Sequence, residues 1–274
     1  MRIQTGFDIA FTVQAPTPMI LMLNVSQGRE ADLEAPETIR SDPPVPMTSY
    51  LDVYGNRCQR LTAPPGTIRF SSASVIRDSG TPDAIDWSAP QHDLAELPPE
   101  TLQFLLGSRY CETDRLMGEA WGLFGHIPPG MERVREICNF ANRRILFNYQ
   151  NARNTRTALE GYQEGTGVCR DYAHLAITLC RCMNIPARYC TGYLGDIGVP
   201  PVPDPMDFSA WFEVYMGGRW ITFDARHNVP RIGRIVMARG RDATDVAIAT
   251  IFGPHALSKF EVTTYELPEA TVPA

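Results

Sequence analysis

The sequence lacks the features of a membrane-spanning, secreted or nucleic-acid-binding chain. No apolar run approaches the ~18 residues that a transmembrane helix needs. Positive charge is not in excess, since the net charge is -6 at pH 7, which argues against a general nucleic-acid-binding protein. Residues 1–5 lack the basic and apolar regions of a signal peptide. The sequence therefore predicts a cytoplasmic globular protein whose partners are neither membranes nor nucleic acids.

The cysteines do not predict disulfides or a metal centre. Their number, seven, is odd and fits the reduced thiols of a cytosolic protein. Four of them (169, 180, 182 and 190), together with His174, could suggest zinc. On one helix, however, Cys180 and Cys182 would point about 200° apart, and Cys180 would lie roughly 16 Å along the axis from Cys169. Zinc needs all its ligands within about 2.3 Å of one point, so we expect no metal site and no cofactor.

A glycine-rich turn leads into a helix that begins with a cysteine. Residues 164–168 are Glu-Gly-Thr-Gly-Val, and helix-forming residues follow from Cys169 onward, with Thr166 as the expected N-cap. A cysteine in a first helical turn lies beside unpaired N–H groups and the positive end of the helix dipole, which favour a thiolate. Cys169 is therefore the candidate nucleophile, and the alternative is a buried structural cysteine.

A β-hairpin is predicted downstream of this helix. Residues 208–215 and 219–224 are rich in β-forming residues and flank Gly217 and Gly218, which suit a two-residue turn. In that register Met216 pairs with Arg219, and Trp211 pairs with Asp224. The period of two then places residues 209, 211, 213, 220, 222 and 224 on one face, which we expect to be turned towards the Cys169 helix.

Three motifs, in this order, resemble the bacterial transglutaminase-like superfamily. They are Gly-Val-Cys-Arg-Asp at 167–171, Asn-Ile-Pro-Ala-Arg-Tyr at 184–189 with Thr-Gly-Tyr at 191–193, and Ala-Trp-Phe-Glu-Val at 210–214 with Phe-Asp at 223–224. The resemblance covers roughly residues 131–228. It implies a papain-like core, Cys169 as nucleophile and Asp224 as the group that orients the catalytic base.

The sequence departs from that family at the base itself. The residue before Ala-Trp is the catalytic histidine in the family and is Ser209 in this chain. A serine hydroxyl cannot take a proton from a thiol near pH 7. Two other histidines lie nearby in sequence: His174 should point about 140° away from Cys169 on the helix, whereas His227, three residues after Asp224, could turn back. Gln163 is a weak candidate for a second oxyanion donor.

The fold class expected is α+β, with four segments. Residues 1–80 resemble the β-sandwich-like N-terminal domain of some bacterial relatives, and residues 81–130 form a linker and helices. Residues 131–228 form the core, in which the cysteine-bearing helix packs on an antiparallel sheet, and residues 229–274 supply C-terminal strands and a disordered tail. The proline-containing loop at 196–207 is expected either to border the active-site cleft or to be a plain surface connection. The Gly-Arg-Asp-x-x-Asp run at 240–245 is expected to be a solvated turn.

The resemblance implies thiol chemistry on peptide or protein amides through a thioester, as in a protease, an amidase or an acyltransferase. With Ser209 in place of the base, we expect this activity to be impaired or absent, because losing a general base typically lowers a rate by ~100- to 10,000-fold. The alternative is a non-catalytic binding or assembly protein on the same fold. A natural loss and an engineered histidine-to-serine change would both explain Ser209. We also expect Cys169 to be mainly a thiol at pH 7.

Overall fold

The computed structural model describes residues 1–202 and 206–268. The predicted disordered tail falls on residues 269–274, outside this range, as do three residues of the predicted 196–207 loop. Within the described ranges, none of the helices is long and apolar enough to cross a bilayer.

Strands dominate the first 80 residues, as predicted. They are β1 (Arg2–Val13), β2 (Thr17–Leu21), β3 (Arg40–Asp42), β4 (Thr48–Leu51), β5 (Arg57–Ala63) and β6 (Gly66–Arg77).

The remaining strands lie in the second half of the chain. They are β7 (Leu146–Phe147), β8 (Thr166–Gly167), β9 (Ala187–Tyr193), β10 (Ser209–Met216), β11 (Arg219–Phe223), β12 (Ile235–Gly240), β13 (Ala249–Ile251) and β14 (His255–Leu267).

Two four-stranded antiparallel sheets enclose the N-terminal core. Their strand orders are β14-β1-β6-β3 and β13-β2-β5-β4. Buried side chains from both sheets, such as Phe7 and Phe70 from one and Met19 and Leu61 from the other, form one hydrophobic cluster. The C-terminal segment is divided between two units, because β13 and β14 complete these sheets whereas β12 joins the sheet of the core.

The described ranges contain five α-helices, all between residues 99 and 182. They are α1 (Pro99–Leu102), α2 (Thr113–Phe124), α3 (Met131–Arg144), α4 (Ala158–Glu164) and α5 (Cys169–Cys182). The central helix is α5, which contacts α2, α3, α4, β9 and β10 and is buried from Asp171 to its end. The antiparallel sheet beneath it has the order β11-β10-β9-β12. The predicted α+β class and cysteine-bearing helix on an antiparallel sheet are confirmed.

The hairpin register is confirmed near the turn and ends earlier than predicted. Met216 pairs with Arg219, and Gly217 and Gly218 both have positive φ, at 57° and 79°. The ladder stops at Phe212 and Phe223, so Trp211 and Asp224 do not pair. From there β10 continues alone along β9, where Ser209 lies opposite Gly192.

The predicted orientation of the hairpin is wrong. Side chains 210, 212, 214 and 216 pack with α5 in one cluster, whereas Trp211 packs with Cys190 and Val236 in another. By alternation, Ser209 shares the face of Trp211, away from the helix. The physical reason is Glu213, whose carboxylate is paired with Arg188 and Arg239 on that face, so the apolar face is the one left for α5.

Two local predictions are also wrong. The N-cap of α5 is Val168, not Thr166, because Thr166 belongs to the short strand β8. The 240–245 turn is not simply solvated: the side chain of Asp242 is buried and accepts the backbone N–H of Tyr110 at 2.8 Å. The carbonyl of Arg241 accepts the Arg181 guanidinium at 2.6 Å, which joins the turn to α5.

Candidate active site

Cys169 is the first residue of α5 and is partly buried. Val168 before it is extended, and its N–H is capped by Asp171 Oδ2 at 2.8 Å. Gly167 permits this cap, because a Cβ there would lie 2.5 Å from the same carboxylate oxygen. The sequence Gly-Val-Cys-Arg-Asp thus fixes the entry of the chain into the helix and the position of the thiol.

Ser209 is the first residue of β10 and lies at the end of the core sheet near the start of α5. Its carbonyl accepts the hydroxyl of Thr191 at 3.2 Å. In residues 1–202 and 206–268 the Ser209 hydroxyl has no hydrogen-bond partner. The next N–H along the strand, that of Ala210, is hydrogen-bonded to the thiol of Cys169. The thiol therefore meets the sheet at the point where β10 extends beyond β11.

Asp224 follows β11 directly and is buried. Its Oδ2 lies 2.9 Å from Nδ1 of His227 and 3.2 Å from a guanidinium nitrogen of Arg234, while its Oδ1 accepts the backbone N–H groups of Arg226 and His227 at 3.0 Å each. Burial by itself would raise the pKa of Asp224. The hydrogen bond from His227 and the charge of Arg234 outweigh burial and hold that pKa well below its usual range.

Cys169, Ser209 and His227 line a common cavity of about 290 Å³. The described part of the 196–207 loop borders this cavity, which agrees with the prediction of a cleft-bordering loop and not with that of a plain surface connection. Two aromatic side chains and several polar or charged groups from separate elements also line it. They are Tyr149, Cys169, Asp207, Phe208, Ser209, Arg226, His227 and Arg231. Asp224 is not among the lining residues and reaches the cavity through His227.

The thiol of Cys169 is held in its protonated form. Burial raises its pKa to about 11. Arg226 and the Ala210 N–H lower the pKa, while the negative charges of Asp207 and Asp224 raise it. A thiol of that pKa is ionised in only about one molecule in 10,000 at pH 7. This agrees with the protonated state predicted from the sequence, although burial, not the missing imidazolium, is the largest cause.

Comparison with known proteins identifies the family. The model of the transglutaminase-like superfamily matches residues 123–225. The uncharacterized protein Rv2569c of Mycobacterium tuberculosis is 30% identical over 227 residues, which cover 74% of this chain and 71% of that protein. The chain belongs to the transglutaminase-like superfamily.

Two further relatives differ in how much they share with this chain. A crystal structure from Cytophaga hutchinsonii, described as a "putative cysteine protease", superimposes with a TM-score of 0.84 at 30% identity and covers 100% of this chain and 93% of that one. The uncharacterized protein ML0607 of Mycobacterium leprae is 34% identical over 94 residues, which span a third of each protein (33%). The structural similarity shows that the whole arrangement, sandwich and core, recurs in the Cytophaga hutchinsonii protein.

Histidines in the described ranges occupy sites of different kinds. His174 is buried between Tyr110 and Tyr189, and its Nε2 accepts the Ala243 N–H at 3.2 Å, so it faces away from the cavity as predicted. His92 accepts the Gly218 N–H at 2.8 Å. Among the described residues that line the cavity, His227 is the histidine.

The remaining sequence candidates are outside the cavity, and some cavity residues were not predicted. Gln163 is exposed on α4 and does not line the cavity. In the described ranges, His, Cys, Asp and Glu side chains form no group of three that could hold a metal ion. Sequence reasoning missed Asp207 and Arg226, whose only signal is proximity in sequence to Ser209 and Asp224.

Proposed function

We propose that this protein binds a peptide or protein amide in the Cys169 cavity and attacks its carbonyl with the Cys169 thiol, at a rate limited by Ser209. The observation that carries the proposal is the position of the thiol: it opens α5, accepts the Ala210 N–H and lines an open cavity beside His227. The family match and the similarity to the Cytophaga hutchinsonii structure support thiol chemistry at this residue.

The reaction proceeds through a thioester. The sulfur of Cys169 bonds to the amide carbonyl carbon, and the oxyanion that forms is stabilised by backbone N–H groups at the start of α5. The carbon–nitrogen bond then breaks, the leaving nitrogen takes a proton, and water or an amine accepts the acyl group. Peptide cleavage, deamidation and cross-linking share this intermediate.

Ser209 makes this reaction slow. The family's base position holds a hydroxyl that does not accept a thiol proton near pH 7, and the thiol has a pKa of about 11. Restoring histidine at the family's base position is therefore expected to accelerate the reaction.

A hydroxamate assay tests the proposal. The protein is incubated with benzyloxycarbonyl-Gln-Gly and hydroxylamine, which intercepts a thioester, and with fluorescent casein to detect cleavage. We expect slow product formation by the wild type, a large increase in Ser209→His and none in Cys169→Ala. Product formation in Cys169→Ala equal to wild type, or none in Ser209→His, would contradict thiol catalysis.

A second function, amide binding without turnover, is favoured by Ser209 and the protonated thiol. It predicts that wild type and Ser209→Ala bind a glutamine-containing peptide equally in calorimetry and that neither forms hydroxamate. A variant that fills the cavity, such as Ser209→Trp, should lose peptide binding while it stays folded. This loss, together with the absence of hydroxamate in wild type, would support binding over catalysis.

A further inference from the structure

His227 is the histidine that Asp224 orients. The Oδ2 to Nδ1 distance is 2.9 Å, and the backbone N–H of His227 donates to the other oxygen of the same carboxylate. Because the charge of Arg234 and the hydrogen-bond donors around Asp224 hold its carboxylate ionised, Nδ1 of a neutral His227 must be the protonated nitrogen. Nε2 is then the nitrogen with a lone pair, as a general base requires.

The position of His227 allows that nitrogen to act in the cavity. Its side chain is 24% exposed, and the residue lines the same cavity as Cys169. Among the described residues, Nε2 has no hydrogen-bond partner. Ser209 is smaller than histidine and leaves space in the cavity where the family's base would stand.

Resting on the proposed function, we infer that His227 is the general base of this protein and replaces the histidine absent at position 209. A catalytic carboxylate normally holds its histidine through Nδ1 and leaves Nε2 for the reacting proton. Asp224 makes this contact with a residue three positions later in its own chain. The carboxylate is thus retained, while its imidazole comes from the turn after β11 and not from β10.

The proton transfers balance through one nitrogen. Nε2 of His227 takes the Sγ proton as the sulfur–carbon bond forms, and returns it to the leaving amine nitrogen as the carbon–nitrogen bond breaks. In the second half, Nε2 takes a proton from water as its oxygen attacks the thioester. It then returns that proton to the sulfur, which restores the thiol and releases the carboxylic acid.

The primary test compares His227→Gln with His255→Gln. Glutamine at 227 can still donate a hydrogen bond to Asp224 but cannot act as a base. His255 is an exposed histidine on β14 outside the cavity lining, so it controls for loss of an imidazole. In the hydroxamate assay we expect His227→Gln to lower kcat by ~100-fold or more with little change in KM, and His255→Gln to match wild type within about two-fold.

Chemical rescue separates catalysis from structure. In His227→Ala, added imidazole should restore at least a tenth of the wild-type rate, and thermal unfolding should identify any loss of fold. An unchanged kcat in His227→Gln, or a loss in folded His227→Ala that imidazole does not rescue, would overturn the inference.

The test also separates this inference from the proposed function. If neither wild type nor Ser209→His forms hydroxamate, the proposed function fails, yet iodoacetamide labelling of Cys169 still reports on His227. At pH 7.5, labelling slower by ten-fold or more in His227→Gln than in His255→Gln supports His227 as the base. Equal labelling rates in the two variants would overturn it.

Discussion

The carboxylate of Asp224 lies 2.9 Å from the imidazole of His227, and position 209, opposite Gly192, plays no part in that contact. The buried aspartate therefore contacts an imidazole although the strand residue before Ala-Trp is serine. Arg234, 3.2 Å from the same oxygen, keeps the carboxylate ionised and stacks over Trp211. The aspartate, the arginine and the tryptophan form one buried unit behind the cavity.

Two cavity charges should shift the reactivity of Cys169 in opposite directions. Asp207 raises the pKa of the thiol and Arg226 lowers it. We expect Asp207→Asn to move the inflection of the iodoacetamide labelling rate to lower pH, and Arg226→Gln to move it to higher pH. The profiles are measured between pH 8 and 12 by mass spectrometry of the Cys169 peptide. Shifts of the same sign in both variants would contradict the electrostatic account.

Acid should destabilise the fold through His174. Burial lowers the pKa of this histidine, so below the ordinary value of about 6.5 the unfolded chain binds a proton that the folded chain does not. Stability present above that pH is therefore lost as pH falls towards the folded-state pKa. The variant His174→Gln lacks this pH-dependent contribution to the free energy of unfolding.

Urea unfolding at pH 7 and pH 5 measures the effect of His174. We expect His174→Gln to be less stable than wild type at pH 7, because the contacts with Tyr110 and Tyr189 are weakened. The gap between the two proteins should narrow by about 2 kcal/mol at pH 5. The exposed His126→Gln is the control, and a gap that stays constant with pH would be the contrary result.

Alanine substitution should destabilise the protein more at one of the two hairpin-turn glycines than at the other. Both have positive φ, so alanine at either position is strained by about 1 kcal/mol. A Cβ at Gly217 would also lie 2.9 Å from that of Ala89, whereas a Cβ at Gly218 meets no atom within 4 Å among the described residues. Gly217→Ala should therefore lower the free energy of unfolding by about 1 kcal/mol more than Gly218→Ala does. Equal losses in urea unfolding would show that the Ala89 contact adjusts freely.

Local patterns in the sequence predict the elements that carry the site. The Gly217-Gly218 pair fixes the register of β10 and β11, and the glycine-rich turn places Cys169 at the start of α5. Alternation alone does not say which face of a hairpin meets a helix. That choice depends on Glu213, whose two arginine partners come from β9 and β12.

Contacts between distant segments could not be read from the sequence. The burial of Asp242 depends on Tyr110, more than 100 residues away, and β14 pairs with β1 across the whole chain. Burial of the Cys169 thiol is likewise a tertiary property. The pairing of His227 with Asp224 is local, with a spacing of three residues, but sequence alone left it as one alternative because it does not give the path of the chain after β11.

The central claim is that Cys169 is a nucleophile that burial keeps protonated and that serine at position 209 leaves without the family's imidazole partner. The most direct measurement is the pH dependence of Cys169 labelling by iodoacetamide in wild type and Ser209→His, with Cys169→Ala as background. The account predicts an inflection near pH 11 in wild type and one several pH units lower in Ser209→His, with faster labelling at pH 7. A wild-type inflection below about pH 6, or identical profiles for the two proteins, would contradict it.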